Sequence, residues 1–168
     1  MSEAFQAIFP SNHRQTKPDS PMSLPLIIFA SQTGETAQIA EWIAEGLGEQ
    51  GLQPEILMAS LISPDLDFSA YAAFALGSSV YQEEVLPELK HALGLLNTMD
   101  VRGRPGAAFG SCEWDDAPIQ RLHQTMELSL GLRMAAPALA LRPPLLGNHE
   151  RQARSLGRRV ADSLQQGS

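Results

Sequence analysis

Short apolar runs alternate with longer amphipathic segments along most of this 168-residue chain. The run Leu24–Ala30 has no charged residue, and from Ile39 to Leu47 apolar residues recur at the spacing of a helix. Runs without polar alternation are typical of strands in a parallel sheet that is covered on both faces. Further strands are predicted at 54–59, 71–77, 106–110 and 138–141, and further helices at 86–96, 117–130 and 149–165. The pattern predicts an α/β fold with a three-layer, doubly wound, five-stranded parallel sheet.

The first 23 residues have a different composition, with three prolines, several Ser, Asn and Gln residues and little periodicity. We predict a flexible N-terminal tail or linker over residues 1–23 and a single domain over residues 24–168. No apolar run approaches the length of about 18 residues that a membrane span requires, and the N-terminus lacks the features of a secretory signal. We therefore expect no membrane span and a cytoplasmic location, in which the single cysteine, Cys112, stays reduced.

The formal net charge is −7 at pH 7, and the acidic residues are concentrated in the body of the chain. Between Leu24 and Leu132 there are 15 acidic residues and 4 basic ones. Binding to a phosphate backbone normally requires a basic face, so we expect no nucleic-acid partner.

In doubly wound sheets, ligands bind beyond the carboxyl ends of the strands. The first such loop carries three hydroxyls, from Ser31, Thr33 and Thr36, together with Gly34 and the start of a helix. A helix N-terminus with nearby hydroxyls can bind a phosphate, but Ser and Thr also cap helices without any ligand. Both interpretations stay open on these residues alone. The loop lacks the Gly-Lys-Ser/Thr of a P-loop and the Gly-x-Gly-x-x-Gly of a dinucleotide site.

Three loops together resemble those of flavodoxins. The segment Phe29–Thr36 resembles their phosphate loop, Thr/Ser-x-Thr-Gly-x-Thr, and Gly77–Tyr81 resembles the Gly-Ser-Pro-Thr-Tyr/Trp segment beside the flavin. The segment Ala107–Trp114 is similar to Ala-x-Phe-Gly-Ser-Tyr-Gly-Trp in the flavodoxin domain of flavodiiron proteins. The resemblance spans Leu24 to Gln165 and implies a flavodoxin-like sheet of strand order 2-1-3-4-5.

The resemblance also implies FMN as the cofactor and assigns residues to it. Its phosphate would be held by Ser31, Thr33, Gly34 and Thr36, with backbone N–H groups from Gln32 and Glu35. Its ring would lie between two segments, Ser78, Ser79, Val80, Tyr81 and Gln82 on one side and Ser111, Cys112, Glu113 and Trp114 on the other. An aromatic side chain from each segment suits stacking on a flat ring. No catalytic side chain is expected, and Cys112 is interpreted as a loop residue near the ligand.

The chain departs from the family pattern at three places. Family loops often carry Gly or Asn after the aromatic of the third-strand loop, whereas this chain has Gln82-Glu83, for which a positive φ is sterically costly. Cys112-Glu113 replaces the Tyr-Gly of the other segment. The four histidines are dispersed, so we expect none of the metal-binding residues found in flavodiiron proteins.

The resulting interpretation is an FMN-binding electron-transfer protein that works between redox partners. Acidic residues follow both proposed ring segments, so the expected partners have a basic docking face. These residues are Glu83, Glu84, Glu88, Glu113, Asp115 and Asp116. Two alternatives remain, an NAD(P)H-dependent FMN or quinone reductase on the same fold and a flavin-free flavodoxin-like interaction module.

Overall fold

The computed structural model describes residues 24–167, so the predicted tail over residues 1–23 lies outside the described residues. The strands are β1 (Leu24–Ala30), β2 (Glu55–Met58), β3 (Tyr71–Tyr81), β4 (Glu84–Val85), β5 (Pro105–Ser111), β6 (Arg133–Met134) and β7 (Leu139–Leu141). The helices are α1 (Glu35–Glu49), α2 (Pro87–Leu96), α3 (Ala117–Leu128) and α4 (Gly147–Gln166). Two short 3₁₀ helices, Ala59–Leu61 and Phe68–Ala70, precede β3.

The central sheet is parallel, with β2, β1, β3 and β5 side by side in that order. Beyond β5, the fifth position is shared by two short parallel strands, β6 beside the start of β5 and β7 beside its end. The predicted fold and strand order are therefore confirmed, with the fifth strand interrupted between Met134 and Leu139. β3 also extends to Tyr81, beyond the predicted end at Gly77, because it continues into an antiparallel hairpin with β4.

Helices cover both faces of the sheet, as the uninterrupted apolar strands require. Alternate side chains of β1 point to opposite faces. Leu26 and Ile28 belong to the same core cluster as Leu89 of α2 and Leu122 of α3. Ile27 and Phe29 belong to the second cluster, which α1 and α4 complete. No helix within residues 24–167 is long and apolar enough to cross a membrane.

The helices α1 and α4 approach each other closely because glycines lie at their contact. A Cβ added at Gly46 would lie 2.1 Å from the carbonyl oxygen of Arg154, and one added at Gly157 would lie 2.2 Å from that of Ile43. These backbone atoms cannot move aside as a flexible side chain can. The two glycines therefore set the distance between α1 and α4.

Arginines of α4 bind carboxylates of α1 beside this contact. Arg154 lies 2.6 Å from Glu45 and 3.0 Å from Glu49, and Arg158 lies 2.7 Å from Glu49. The hydrogen bonds from Arg158 and Arg154 lower the pKa of Glu49. These two arginines hold α4 against α1.

Substitution of Gly157 by Ala tests this close contact. We expect Gly157→Ala to lower the free energy of unfolding by about 1–3 kcal/mol, the usual cost of overpacking a core. The matched control is Gly94→Ala in α2, where an added Cβ meets no atom within 4 Å. The control variant should be as stable as the unmodified protein or more stable, because Ala favours a helix over Gly by about 0.5–1 kcal/mol. Equal stability of the two variants in urea unfolding would contradict the assigned contact.

Candidate functional site

Three loops, following β1, β3 and β5, meet in one cleft of about 510 Å³. The cleft is lined by Gln32, Thr33, Glu35, Ser79, Val80, Tyr81, Gln82, Ser111, Cys112, Glu113 and Trp114, all of them predicted site residues, and by Glu83, Asp115 and Pro143. The other predicted residues do not line it. Ser31 and Gly34 lie in the first loop, Thr36 lies in the first turn of α1, and Ser78 lies in β3. Pro143 comes from the loop after β7, which carried no recognisable signal in the sequence.

Small residues allow β3 and β5 to lie close together beneath the cleft. A Cβ on Gly110 would lie 2.3 Å from the carbonyl oxygen of Ser78, and one on Gly77 would lie 2.2 Å from the ring of Phe109. Gly77 and Gly110 are therefore required for packing, and Ser111, which follows Gly110, lies at the cleft.

The first loop forms the N-terminus of α1. Gly34 precedes the helix with a φ of 101°, and its N–H donates to the hydroxyl of Ser31 at 3.1 Å. The hydroxyl of Thr33 donates to the carboxylate of Glu35. Ser31 thus helps to order the loop, but no side chain caps α1, whose N-cap residue is Gly34. The first-turn N–H groups of α1 still have no carbonyl partner within the helix, so the loop also retains donors for an anion.

Buried hydroxyls connect this loop to the other two. The side chain of Thr36 is fully buried, and its hydroxyl lies 3.0 Å from that of Ser79 and 2.9 Å from that of Ser111. The N–H of Gln32 also donates to the hydroxyl of Ser79, at 3.2 Å. We refer to Thr36, Ser79 and Ser111 as the hydroxyl cluster. It joins all three loops directly beneath the cleft.

The second loop is the hairpin between β3 and β4. Its central residues, Gln82 and Glu83, have φ values of 51° and 65°, which are typical of a two-residue type I′ turn. The hydroxyl of Ser78 supports the base of the hairpin by accepting from the N–H of Leu86 at 2.9 Å and donating to the carbonyl of Ser79 at 2.7 Å. Tyr81 is 54% exposed and faces the cleft.

The third loop contains a buried cysteine and an exposed tryptophan. Trp114 is 86% exposed, which is unusual for so large an apolar side chain. Burial, followed by the charge of Asp116, raises the pKa of the Cys112 thiol. The thiol therefore stays protonated near neutral pH, which is unfavourable for a nucleophile.

Four carboxylates line the cleft, those of Glu35, Glu83, Glu113 and Asp115. The other acidic residues singled out in the sequence do not line it. Glu84 forms an ion pair with Lys90, and Asp116 accepts from Gln120 at 3.3 Å. Within residues 24–167, no group of three or more His, Cys, Asp and Glu side chains could hold a metal ion.

Two arginines bind backbone carbonyls of the cleft loops. Arg121 donates to the carbonyl of Glu83 at 2.9 Å, and Arg142 donates to that of Trp114 at 3.5 Å. Each arginine thus holds the backbone of one cleft loop from outside, and neither lines the cleft itself.

Comparisons with known proteins agree with this fold. A family model described as a flavodoxin domain matches residues 26–94. The type A flavoprotein fprA of Rhodobacter capsulatus is 32% identical over 146 residues, which are 83% of this chain and 33% of that protein. A putative diflavin flavoprotein A 4 of Synechocystis is 26% identical over 67% of this chain and 19% of its own length. The chain spans about a third or less of the curated relatives that it matches.

Solved structures have the same fold. A flavodoxin from the domain Archaea superposes with a TM-score of 0.75 at 23% identity, covering 84% of this chain and 99% of that one. Rubredoxin oxygen:oxidoreductase from Desulfovibrio gigas superposes with a TM-score of 0.79 at 18% identity, covering 88% of this chain and 37% of that one.

Removal of the Thr36 hydroxyl tests the hydroxyl cluster. Thr36→Val keeps the shape of the side chain but leaves the buried hydroxyls of Ser79 and Ser111 with one partner fewer. We expect a loss of about 1–3 kcal/mol in the free energy of unfolding, the cost of unsatisfied buried polar groups. Thr98→Val, at an exposed hydroxyl, should change it by less than about 0.5 kcal/mol. Thr36→Ser should be more stable than Thr36→Val, and the reverse order would contradict the cluster.

Proposed function

Residues 24–167 form a flavodoxin-like domain, and from this we propose that the chain binds one FMN in the cleft and transfers electrons between redox proteins. The observation that carries the proposal is the meeting of the three loops in one cleft, with exposed aromatics from two of them. Tyr81 and Trp114 offer large rings to the same cleft at an exposure that leaves them free to stack on a ligand.

The size and chemistry of the cleft suit this cofactor. Its volume of about 510 Å³ lies within the range of about 300–1,000 Å³ that is usual for small-molecule sites. At one end, the N-terminus of α1 provides N–H donors and the hydroxyl of Thr33, which suit a phosphate. Glu35 adds a negative charge beside these donors, so phosphate binding depends on backbone groups that the helix orients.

The proposal assigns roles to the residues of each loop. Ser31, Thr33, Gly34 and Thr36 would hold the phosphate, together with the N–H groups of Gln32 and Glu35. The Thr36 hydroxyl is buried in the hydroxyl cluster, so Thr36 would contribute its backbone N–H. The hydroxyl of Thr33 and the N–H of Gln32 would exchange their present acceptors, Glu35 and Ser79, for the phosphate. Residues 78–82 would border one side of the ring, and residues 111–114 would border the other. When bound, FMN supplies the redox chemistry, and the chain binds it, excludes water and sets its electrostatic surroundings.

The proposed partners are redox proteins with a basic docking face. Glu83, Glu113 and Asp115 place negative charge at the cleft, which would steer such partners toward the flavin. The names of the relatives, a type A flavoprotein and a diflavin flavoprotein, support a flavin in this fold. A cytoplasmic location remains part of the proposal, with the buried free thiol of Cys112 as its support.

One observation favours a reductase as a second candidate. A neighbouring pocket of about 520 Å³ shares Cys112, Trp114 and Asp115 with the cleft, and it is also lined by Arg142 and His149. Arg142 and His149 suit an anionic nucleotide next to the flavin. Asp115 and Asp116 line the same pocket and would repel such a ligand, so electron transfer between proteins is proposed first.

Flavin titration tests the proposed site. We expect the protein to bind FMN at least tenfold more tightly than riboflavin, because riboflavin lacks the phosphate. Thr33→Ala should weaken the binding of FMN by about tenfold or more, because it removes a hydrogen bond to a charged group. The affinity for riboflavin should stay unchanged. Thr98→Ala, at an exposed hydroxyl away from the cleft, is the matched control.

The same titration separates the alternatives. Equal affinity for FMN and riboflavin would contradict the phosphate assignment. A protein that binds no flavin would be the flavin-free interaction module. Oxidation of NADH or NADPH by the FMN-loaded protein alone would favour the reductase.

Neutralisation of the cleft carboxylates tests the electrostatic part of the proposal. We expect Glu83→Gln, Glu113→Gln and Asp115→Asn together to raise the reduction potential of bound FMN, because negative charges disfavour added electrons. Electron transfer to a basic cytochrome should slow several-fold at low salt, since steering falls with charge. The control is Glu41→Gln, Asp65→Asn and Glu127→Gln, which changes the net charge equally at exposed positions that do not line the cleft. If the two triple variants have the same reduction potential and the same salt dependence of electron transfer, the cleft carboxylates have no specific role.

A further inference from the structure

Arg121 of α3 contacts the most strained part of the cleft wall. Its Nη2 donates to the carbonyl oxygen of Glu83 at 2.9 Å, although the two residues are 38 positions apart in the chain. Glu83 and its neighbour Gln82 are the only non-glycine residues with positive φ between residues 24 and 167. The guanidinium therefore binds the backbone at the turn where two non-glycine residues adopt the unfavourable positive φ.

The turn has little intrinsic preference for this conformation. Type I′ turns favour Gly, which has no Cβ, and Asn, whose short polar side chain tolerates positive φ, whereas Gln and Glu are sterically disfavoured there. The hairpin itself contains only two residue pairs, Val80 with Val85 and Tyr81 with Glu84. Conformations of this kind persist when the surrounding structure holds them in place. The holding groups must then lie outside the turn.

Two helices contribute side chains that contact the hairpin from outside the turn. Lys90 of α2 pairs with the carboxylate of Glu84, but this pair is exposed on both sides and exposed pairs contribute little. The Arg121 contact is exposed as well, but it is a charge-assisted hydrogen bond to a backbone carbonyl and so restrains the main chain of the turn directly. The peptide group between Glu83 and Glu84 cannot rotate without breaking that bond.

We propose that Arg121 is a positioning residue that holds the turn at Gln82 and Glu83 in its left-handed conformation and thereby shapes the wall of the cleft that carries Tyr81. Arg121 does not line the cleft, so its effect on a ligand passes through the hairpin. The consequence for the cofactor rests on the proposed function, whereas the consequence for the hairpin does not.

Hydrogen exchange of the flavin-free protein provides the first test. Arg121→Met keeps much of the aliphatic stem and removes the donor. We expect the amides of residues 81–85 to exchange about five- to tenfold faster, as the loss of one hydrogen bond implies, with amides of the central strands unchanged. The matched control is Arg159→Met, at an exposed arginine of α4 for which residues 24–167 provide no hydrogen-bond acceptor. Unchanged exchange at residues 81–85 in Arg121→Met would overturn the proposal.

A charge-neutral rescue separates positioning from simple loss of a positive charge. Gln82→Asn introduces the residue that type I′ turns prefer without changing the net charge. In the Arg121→Met background it should restore slow exchange at residues 81–85. In the FMN-loaded protein, Arg121→Met alone should weaken FMN binding, because the cleft wall that carries Tyr81 is then less ordered.

The outcomes of these experiments remain distinct. Failure of Gln82→Asn to restore slow exchange at residues 81–85 would overturn the positioning role. Absence of FMN binding in the unmodified protein would defeat the proposed function, while the exchange result for the hairpin would still decide the role of Arg121.

Discussion

The parallel pairing of β1, β3 and β5 is the constraint on which the cleft depends. In this register Ala30 lies beside Ser78, and Ser79 lies beside Ser111, so the three strands end at the same edge of the sheet. The loops that follow are thereby brought together from distant parts of the chain. Glycine is required at positions 77 and 110, because an added Cβ would meet the ring of Phe109 or the carbonyl oxygen of Ser78. The hydroxyl cluster then joins the loops below the cleft.

The base of the cleft is well hydrogen-bonded, whereas its walls contain features that lower the stability of the protein when no ligand is bound. At the base, Thr36 is fully buried and its hydroxyl is shared with Ser79 and Ser111. In the walls, Trp114 is largely exposed, and the turn at Gln82 and Glu83 adopts a conformation that its side chains disfavour. Exposed aromatics and strained turns are costly for stability alone and are common where a ligand binds. This contrast is a physical reason to place the proposed FMN at this cleft.

Much of the sheet could be predicted from local pattern, because continuous apolar runs bounded by turns identify buried strands. The bounds of β1, Leu24–Ala30, agree with the prediction. The two-residue strand β6 could not be predicted, since so short a segment has no periodicity. It forms because the N–H of Arg133 donates to the carbonyl of Arg104, and the N–H of Ala135 donates to that of Gly106, both at 2.8 Å. Those partners are supplied by the edge of β5.

For the candidate site, the sequence by itself determined which loops carry hydroxyl, aromatic and acidic side chains, because residue type and position at a strand end can be read locally. Only the tertiary structure decided what each side chain contacts. It buried the hydroxyl of Thr36 among those of two other loops and placed Arg121 on the carbonyl of Glu83. It also added Pro143 to the cleft. These contacts join residues far apart in the chain, and they exist only once strand register and helix packing have set the distances between them.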